Sequence, residues 1–283
     1  EIAQCLVGSE MCIRDRLIIG AGLIGLKCAE ALHHLNADIT VVDLADRILP
    51  SILDVRAGEI MQKHIEDKGT KFILGTSVEQ FSKNSAKLTN GETVDFDILV
   101  IAVGVRPNTE LVSDAGGKVE KGIITDLHQQ TTIDNVYAAG DCTVSHDCSS
   151  NTDRILALLP NAFMQGEVAG KNMAGEETLY LNAIPMNAIG FYGLHIITAG
   201  SYDGDEDITE DADKEIYKKL VFKDGLLKGF ILMGDVARAG IYTSMIKEQI
   251  PLTEVDLDLL RDKPQMMMFG KARREEKLAG KKH

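Results

Sequence analysis

A run of six residues near the start of the chain, Gly20–Gly25, has the composition and spacing of a loop that binds phosphates. It reads Gly-Ala-Gly-Leu-Ile-Gly and lies between a short apolar run, Leu17–Ile19, and a helical pattern, Leu26–Leu35. A strand, three spaced glycines and a helix in this order are typical of a dinucleotide-binding unit. The alternative is a tight turn that binds no nucleotide.

Each position in this loop has a distinct physical role. Gly20 lets the chain turn sharply off the strand, Gly22 lets the backbone approach a pyrophosphate, and Gly25 lets the helix pack closely. The start of a helix offers free N–H groups and a partial positive charge to phosphates. The predicted binding residues therefore include Leu23 and Ile24, which lie at that start.

An acid follows the loop at the expected distance. Ile39–Val42 is predicted to be a second strand, and it ends in Asp43, 18 residues after Gly25. A carboxylate there accepts hydrogen bonds from a ribose 2′-hydroxyl and repels a 2′-phosphate. The residues thus favour NAD over NADP.

Composition excludes several other classes of protein. The chain of 283 residues carries a formal net charge of −13, and nucleic-acid binding requires clustered basic residues. The apolar runs are shorter than a membrane helix requires. The five cysteines have no metal-site spacing, so we expect no metal, and their odd, scattered set indicates reduced thiols in a cytoplasm.

The first fifteen residues, 1–15, do not fit the pattern of the rest. They have neither the apolar core nor the cleavage site of a signal peptide. They resemble a translated sequencing adapter, so we expect a non-native segment; the alternative is a frayed native terminus.

Two later segments also end in positions that can face a ligand. Asp97–Val103 is an apolar run typical of a buried parallel strand, and it leads into Gly104. Asn135–Asp141 is predicted to be a further strand that ends in a Gly-Asp pair. A carboxylate at a strand end can accept hydrogen bonds from sugar hydroxyls, although a capping aspartate is the alternative.

The order of these motifs resembles the pyridine nucleotide-disulfide oxidoreductase superfamily, in particular its rubredoxin reductase, nitrite reductase and NADH oxidase branch. The resemblance rests on residues 20–30, 102–108 and 131–141 and implies both FAD and NAD as cofactors. It assigns the helix Leu159–Gly170 to the flavin. The cofactor-binding residues that it implies, beyond those named above, are Glu30, Val103, Gly104, Gly140, Asp141, Asn161 and Ala162.

The chain departs from the family in three ways. The first glycine-rich motif of the family, which holds the ADP half of FAD, has no counterpart, so we expect an N-terminally truncated protein that purifies without flavin. Lys27 stands where many relatives have Glu. The redox cysteine of NADH oxidases would lie in the missing half, and Cys142 and Cys148, which have the wrong spacing for the family's redox pair, are interpreted as bystander thiols.

The C-terminal part resembles the family's interface domain. We expect strands at Phe191–Ala199, Tyr217–Phe222 and Lys228–Met233 and a helix at Val236–Gln249. Relatives form dimers through this domain, so a homodimer is expected, with apolar surface from the first of these strands and the helix. His195 is interpreted as a core or surface residue, Met266–Met268 as packing or tail, and Lys271–His283 as a poorly ordered end.

The predicted fold class is α/β, with a Rossmann-type NAD-binding domain, a partial FAD-binding domain and a C-terminal α+β interface domain. The predicted boundaries are 16–106, 107–180 and 181–262, followed by a charged tail, 263–283. The predicted function is electron transfer from NADH through FAD to an unknown acceptor (a small redox protein, a disulfide or oxygen), with catalytic residues unknown. The alternative is a non-catalytic, redox-sensing NAD-binding module.

Overall fold

A computed structural model describes residues 15–35 and 37–279. Residues 1–14 of the predicted non-native segment lie outside this range. Asp15, the last residue of that segment, is the first residue of a strand and pairs with Asp38. The chain divides into two compact units, the first made of the residues up to Val105 together with Gly190–Leu194.

The first unit is built on a parallel sheet with the strand order β3-β2-β1-β7, beside a small antiparallel sheet, β4-β5-β6. In chain order its elements are β1 (Asp15–Ile19), α1 (Leu23–His33), β2 (Asp38–Asp43), α2 (Val55–Glu66), β3 (Lys71–Leu74), β4 (Val78–Phe81), β5 (Ser85–Leu88), β6 (Thr93–Asp95) and β7 (Ile98–Ile101). Apolar side chains of β1, β2, α1 and α2 form its buried interior.

Three predictions in this unit need correction. Helix α1 begins at Leu23 rather than Leu26, because Gly22 is its N-cap and the end of the glycine loop forms its first turn. The last strand, β7, is not buried: Ile98 and Ile101 are 41% and 60% exposed, since β7 is an edge strand. The turn at Asn90-Gly91 follows β5, a strand that the sequence did not predict.

The second unit contains residues 106–189 and 195–283 and two sheets, of orders β10-β9-β8 and β11-β12-β15-β14-β13. In chain order the elements are α3 (Glu110–Ser113), β8 (Ile123–Ile124), β9 (Thr143–Asp147), β10 (Thr152–Ile155), α4 (Leu159–Met173), β11 (Met186–Phe191), β12 (Leu194–Gly200), β13 (Asp205–Asp211), β14 (Ile216–Lys223), β15 (Leu226–Met233), α5 (Ala239–Lys247), α6 (Leu257–Asp262) and α7 (Lys271–Ala279).

The predicted strand Asn135–Asp141 is not a strand. Only Tyr137 forms a single bridge, to Gln130. Positive φ angles at Asn135 (61°) and Gly140 (93°) interrupt the extended backbone on both sides. The strand of this region is β9, which begins two residues after Asp141.

The predicted strand Phe191–Ala199 is a hairpin rather than one strand. Tyr192 and Gly193 have φ angles of 49° and 90° and form the turn between β11 and β12. Two positive φ angles in succession are typical of the tight turns that join antiparallel strands.

The predicted helix Val236–Gln249 is shorter in the structure. Arg238 adopts a left-handed conformation with φ 65°, so α5 begins only at Ala239. Tyr242 and Met245 of α5 are buried in the core of their own unit. These two side chains are therefore already used within the chain.

The C-terminal tail is helical up to Ala279, contrary to the prediction of a poorly ordered end. In α7, Arg273 pairs with Glu254 at 2.8 Å and Lys277 with Glu248 at 2.9 Å. Met268 is buried, which fits packing. Among the described residues, no helix has the length and apolar character needed to cross a membrane.

Candidate functional site

The glycine loop of the first unit lies at the carboxyl ends of β1, β2 and β7. Gly20 has φ 112°, and a Cβ atom there would overlap the carbonyl oxygen of Ala102, just after β7. A Cβ on Gly25 would likewise overlap the carbonyl oxygen of Gly20. These two glycines are therefore required by close packing between α1, the loop and β7.

Gly22 is different, because a Cβ added there would meet no atom within 4 Å. The backbone of Gly22 borders open space, and helix α1 starts immediately after it without a side-chain cap. The first amide groups of a helix have no partners within the helix. The N–H groups of Leu23 and Ile24 are therefore positioned to bind an anion that occupies this space.

Asp43, at the end of β2, is fixed beside the loop by two backbone amides. Its Oδ2 atom accepts a hydrogen bond from Ala21 N–H at 2.5 Å, and its Oδ1 atom accepts one from Ala45 N–H at 2.7 Å. The carboxylate thus holds the glycine loop in place. Each carboxylate oxygen has a second lone pair, so this role is compatible with contact to a sugar hydroxyl.

Val103 and Gly104 follow β7 on the same side of the sheet. The amide of Ala102 donates to Ile19 O at 2.8 Å, which brings this segment beside Gly20. The side chain of Val103 is 71% exposed, and Gly104 has φ 102°. The structure therefore groups these residues with the glycine loop and Asp43.

Glu30 lies apart from this group. It is five residues beyond Gly25 on α1, about 7 Å along the helix axis at ~1.5 Å per residue. Its Oε1 atom accepts from Tyr192 N–H and its Oε2 atom from Lys27 Nζ, both at 2.6 Å. Burial acts to raise the pKa of Glu30, but these two hydrogen bonds hold that pKa below its usual value.

Lys27 takes part in the same cluster. Its ammonium group donates to Gly190 O at 2.5 Å and lies 5.2 Å from the centre of the Phe191 ring. Lys27 and Glu30 therefore hold the turn at Tyr192, and both oxygens of Glu30 already have partners. This arrangement gives Glu30 a structural role, and its contact with a cofactor stays a prediction.

In the second unit, Gly140 and Asp141 form a loop that a buried glutamine holds in place. Gln165 of α4 is 1% exposed, and its Oε1 atom accepts from Gly140 N–H at 2.5 Å. Its Nε2 atom donates to Ser145 Oγ at 2.5 Å. The side chain of Asp141 is exposed.

Asn161 and Ala162, at the start of α4, differ in their surroundings. Ala162 lies next to Gly140, whose added Cβ would stand 3.7 Å from the Ala162 Cβ. Asn161 is fully buried: its amide donates to Ile184 O at 3.1 Å and accepts from Tyr180 Oη at 2.9 Å. The side chain of Asn161 is thus used in packing, which leaves only its backbone amide for a ligand.

Other residues with reactive side chains are poorly suited to chemistry. His195 is exposed on β12. Cys142 is partly buried, and its thiol lies 3.6 Å from Ala139 O. Burial, and then the charge of Asp147, raise the pKa of Cys148, which disfavours its reactive thiolate form.

Comparison with known proteins identifies the family. Residues 5–166 match the family described as pyridine nucleotide-disulphide oxidoreductase. The chain belongs to this family. Its residues 185–250 match a second description, the rubredoxin NAD+ reductase C-terminal domain. The family and the α/β fold class predicted from the sequence are therefore confirmed.

Individual members of the pyridine nucleotide-disulphide oxidoreductase family show the same likeness. The chain is 32% identical over 251 residues to the NADH-dependent phenylglyoxylate dehydrogenase subunit epsilon of Aromatoleum evansii, covering 85% of this chain and 59% of that protein. It is 30% identical over 252 residues to the rubredoxin-NAD(+) reductase of Acinetobacter baylyi, covering 86% and 61%. The chain thus spans less than two thirds of either relative.

A solved structure supports the same assignment. The NAD-dependent persulfide reductase from A. fulgidus superposes with a TM-score of 0.77 at 26% identity, over 87% of this chain and 51% of that one. The similarity in fold therefore extends over most of this chain.

Proposed function

We propose that this protein is an oxidoreductase that binds NADH at the glycine loop and passes electrons through FAD to an acceptor. The observation that carries the proposal is the open space at Gly22, bordered by the start of α1 and by the fixed carboxylate of Asp43. NADH and FAD carry the hydride and the electrons, while the residues of the chain bind and orient them.

The preference for NADH over NADPH follows from Asp43. Because two backbone amides fix its carboxylate, it cannot swing away from a ligand that brings a second negative charge. Two like charges about 4 Å apart near a protein surface repel by several kcal/mol at most. We therefore expect NADH to bind at least about ten-fold more tightly than NADPH, which corresponds to ~1.4 kcal/mol.

Calorimetric titration of the chain with NADH and NADPH tests this proposal. Asp43→Asn removes the charge and should narrow the ratio of the two affinities. Any loosening of the loop in this variant would weaken both ligands alike, so the ratio reports the charge. Asp46→Asn, at an exposed neighbouring acid, is the matched control and should leave the ratio unchanged. Equal affinities of the unmodified chain for NADH and NADPH would contradict the role of Asp43.

For FAD we propose contacts with Gly140, Asp141 and the start of α4. In support, the carboxylate of Asp141 is exposed, and it has no hydrogen-bond partner in the part of the chain that the structure describes. Titration with added FAD, followed by flavin fluorescence, measures the affinity directly. Asp141→Ala should weaken FAD binding and leave NADH binding unchanged. An unaltered FAD affinity would remove Asp141 from the proposal.

A non-catalytic NAD-binding module is not favoured, because the matched relatives are oxidoreductases by name. We propose the cytoplasm as the location, since Cys28, Cys142 and Cys148 are free thiols. A homodimer also remains a proposal. Light scattering at the mass of two chains would support it, and scattering at the mass of one chain would contradict it.

A further inference from the structure

We propose that a cleft in the second unit binds a small organic cation, an ammonium or amidinium group carried on an apolar body. The cleft has a volume of about 570 Å³, which is within the range of small-molecule sites. We call it the Gln129 cleft; the lining residues that carry the argument are Asp126, Leu127, Gln129, Asp153, Tyr180 and Leu181.

The first observation is an unsatisfied acceptor in the wall of the cleft. Gln129 is 2% exposed, and its carbonyl oxygen Oε1 has no hydrogen-bond donor. A buried polar group without a partner destabilises a folded protein. Rotation of the terminal amide about its χ3 bond can turn this oxygen toward the cleft. A ligand that donates an N–H group there would satisfy it.

The position of Gln129 is well defined by its backbone. Its N–H group donates to Asp126 O, and its carbonyl accepts from Ala138 N–H, both at 3.0 Å. It also adopts a left-handed conformation with φ 65°, which is uncommon for a residue with a long side chain. The fold thus holds Gln129 at a defined position in the wall of the cleft.

The second observation is the charge of the wall. Asp126 and Asp153 line the cleft, and none of the described lining residues is Lys or Arg. His146 Nδ1 lies 2.9 Å from Asp153 Oδ1, so Asp153 is partly compensated. Asp126 uses Oδ1 for two backbone amides. The wall is therefore rich in acceptors and favours a positively charged donor over an anion.

The third observation is the apolar part of the lining. Leu127 and Leu181 are 37% and 58% exposed, and Tyr180 also lines the cleft. Burial raises the pKa of the Tyr180 phenol, which keeps that group uncharged. A ligand with a charged head and an apolar body matches both parts of the wall.

The binding test uses the full chain and two probes of the same size and opposite charge. These are 2-phenylethylamine, positive at neutral pH, and 3-phenylpropionate, negative. Ligand-observed NMR titration should give saturable binding of the amine and at least about five-fold weaker binding of the carboxylate. No binding of the amine, or equal binding of both probes, would overturn the proposal.

Two variants locate the binding site. Asp126→Asn keeps the acceptor oxygen for the two amides and removes the charge, so amine binding should weaken by up to about five-fold, as for an exposed ion pair. Asp134→Asn, an exposed acid of the same unit outside the lining, is the control. If both substitutions have the same effect on the amine, the cleft is not the site.

Gln129→Met separates binding from stability. Because it removes an unsatisfied carbonyl, this substitution should raise Tm while it weakens amine binding; Gln80→Met, at an exposed glutamine of the first unit, is its control. A lower Tm with unchanged amine affinity would show that Gln129 serves the fold alone. NADH affinity should not change in any of these variants, so the result is independent of the proposed nucleotide site.

Discussion

Alanine substitutions at two glycines of the same loop should have opposite consequences. At Gly25 a Cβ atom would overlap the carbonyl oxygen of Gly20, so helix α1 or the loop must move by more than about 1 Å. Overpacking of this kind typically lowers the free energy of unfolding by about 1–3 kcal/mol. We expect Gly25→Ala to lie at the upper end of that range, because the atom in conflict is backbone.

At Gly22 the same substitution meets no atom, and φ −84° with ψ −173° is an ordinary extended conformation. Alanine is a poorer N-cap than glycine but reduces the entropy of the unfolded chain, and these effects nearly cancel. The free energy of unfolding should therefore change by less than about 1 kcal/mol. The new methyl group would instead occupy the space proposed for the pyrophosphate, so NADH affinity should fall by at least about ten-fold.

Urea unfolding followed by circular dichroism measures the stability of both variants, and calorimetry measures their affinity for NADH. We expect the Gly22→Ala protein to be as stable as the unmodified chain and to bind NADH more weakly. Unchanged NADH affinity in a folded Gly22→Ala protein would show that the nucleotide does not pass this glycine. Equal destabilisation by the two substitutions would refute the distinction between close packing at Gly25 and open space at Gly22.

Two further predictions concern stability. Because the pKa of Glu30 is lowered in the folded protein, its ionised form stabilises the fold above its usual pKa of 4.5, and this contribution is lost as the pH falls below that value. Urea unfolding between roughly pH 6 and 3 should thus show a flatter pH dependence for Glu30→Gln than for the unmodified chain, and parallel curves would contradict this. Gln165→Leu should lower the free energy of unfolding by about 2–4 kcal/mol, because it leaves the Gly140 amide and the Ser145 hydroxyl without their partner; a loss below about 1 kcal/mol would contradict that account.

The nucleotide-binding unit could be predicted in detail because its signals are local. The glycines stand next to the strand and helix that they join, and the acid of β2 follows at a fixed distance. No comparable local signal indicates the true backbone conformation of the segment Asn135–Asp141. Its apolar composition is typical of a strand, but a backbone that turns at Asn135 and Gly140 cannot pair along its length.

The contacts of individual side chains could not be predicted where their partners lie far away in the chain. The amide that binds Glu30 belongs to Tyr192, 162 residues later, at a turn that the sequence pattern had assigned to the start of a strand. Asn161 is buried against Ile184 and Tyr180, which no local pattern around α4 indicates. Long-range pairing of this kind is visible only once the elements are packed.

Asp43 and Glu30 are two acidic residues of one sequence motif whose carboxylates have different surroundings. Asp43 lies at the end of a strand. Its carboxylate therefore accepts a hydrogen bond from a backbone amide of the neighbouring loop and stays next to the open space at Gly22. Glu30 lies two turns into a helix, where the N–H groups of the backbone are already used within the helix. Its carboxylate therefore takes its partners from Lys27 and from the Tyr192 turn. The position of an acid relative to unused backbone amides, rather than its match to a motif, thus decides which partners its carboxylate binds within the protein.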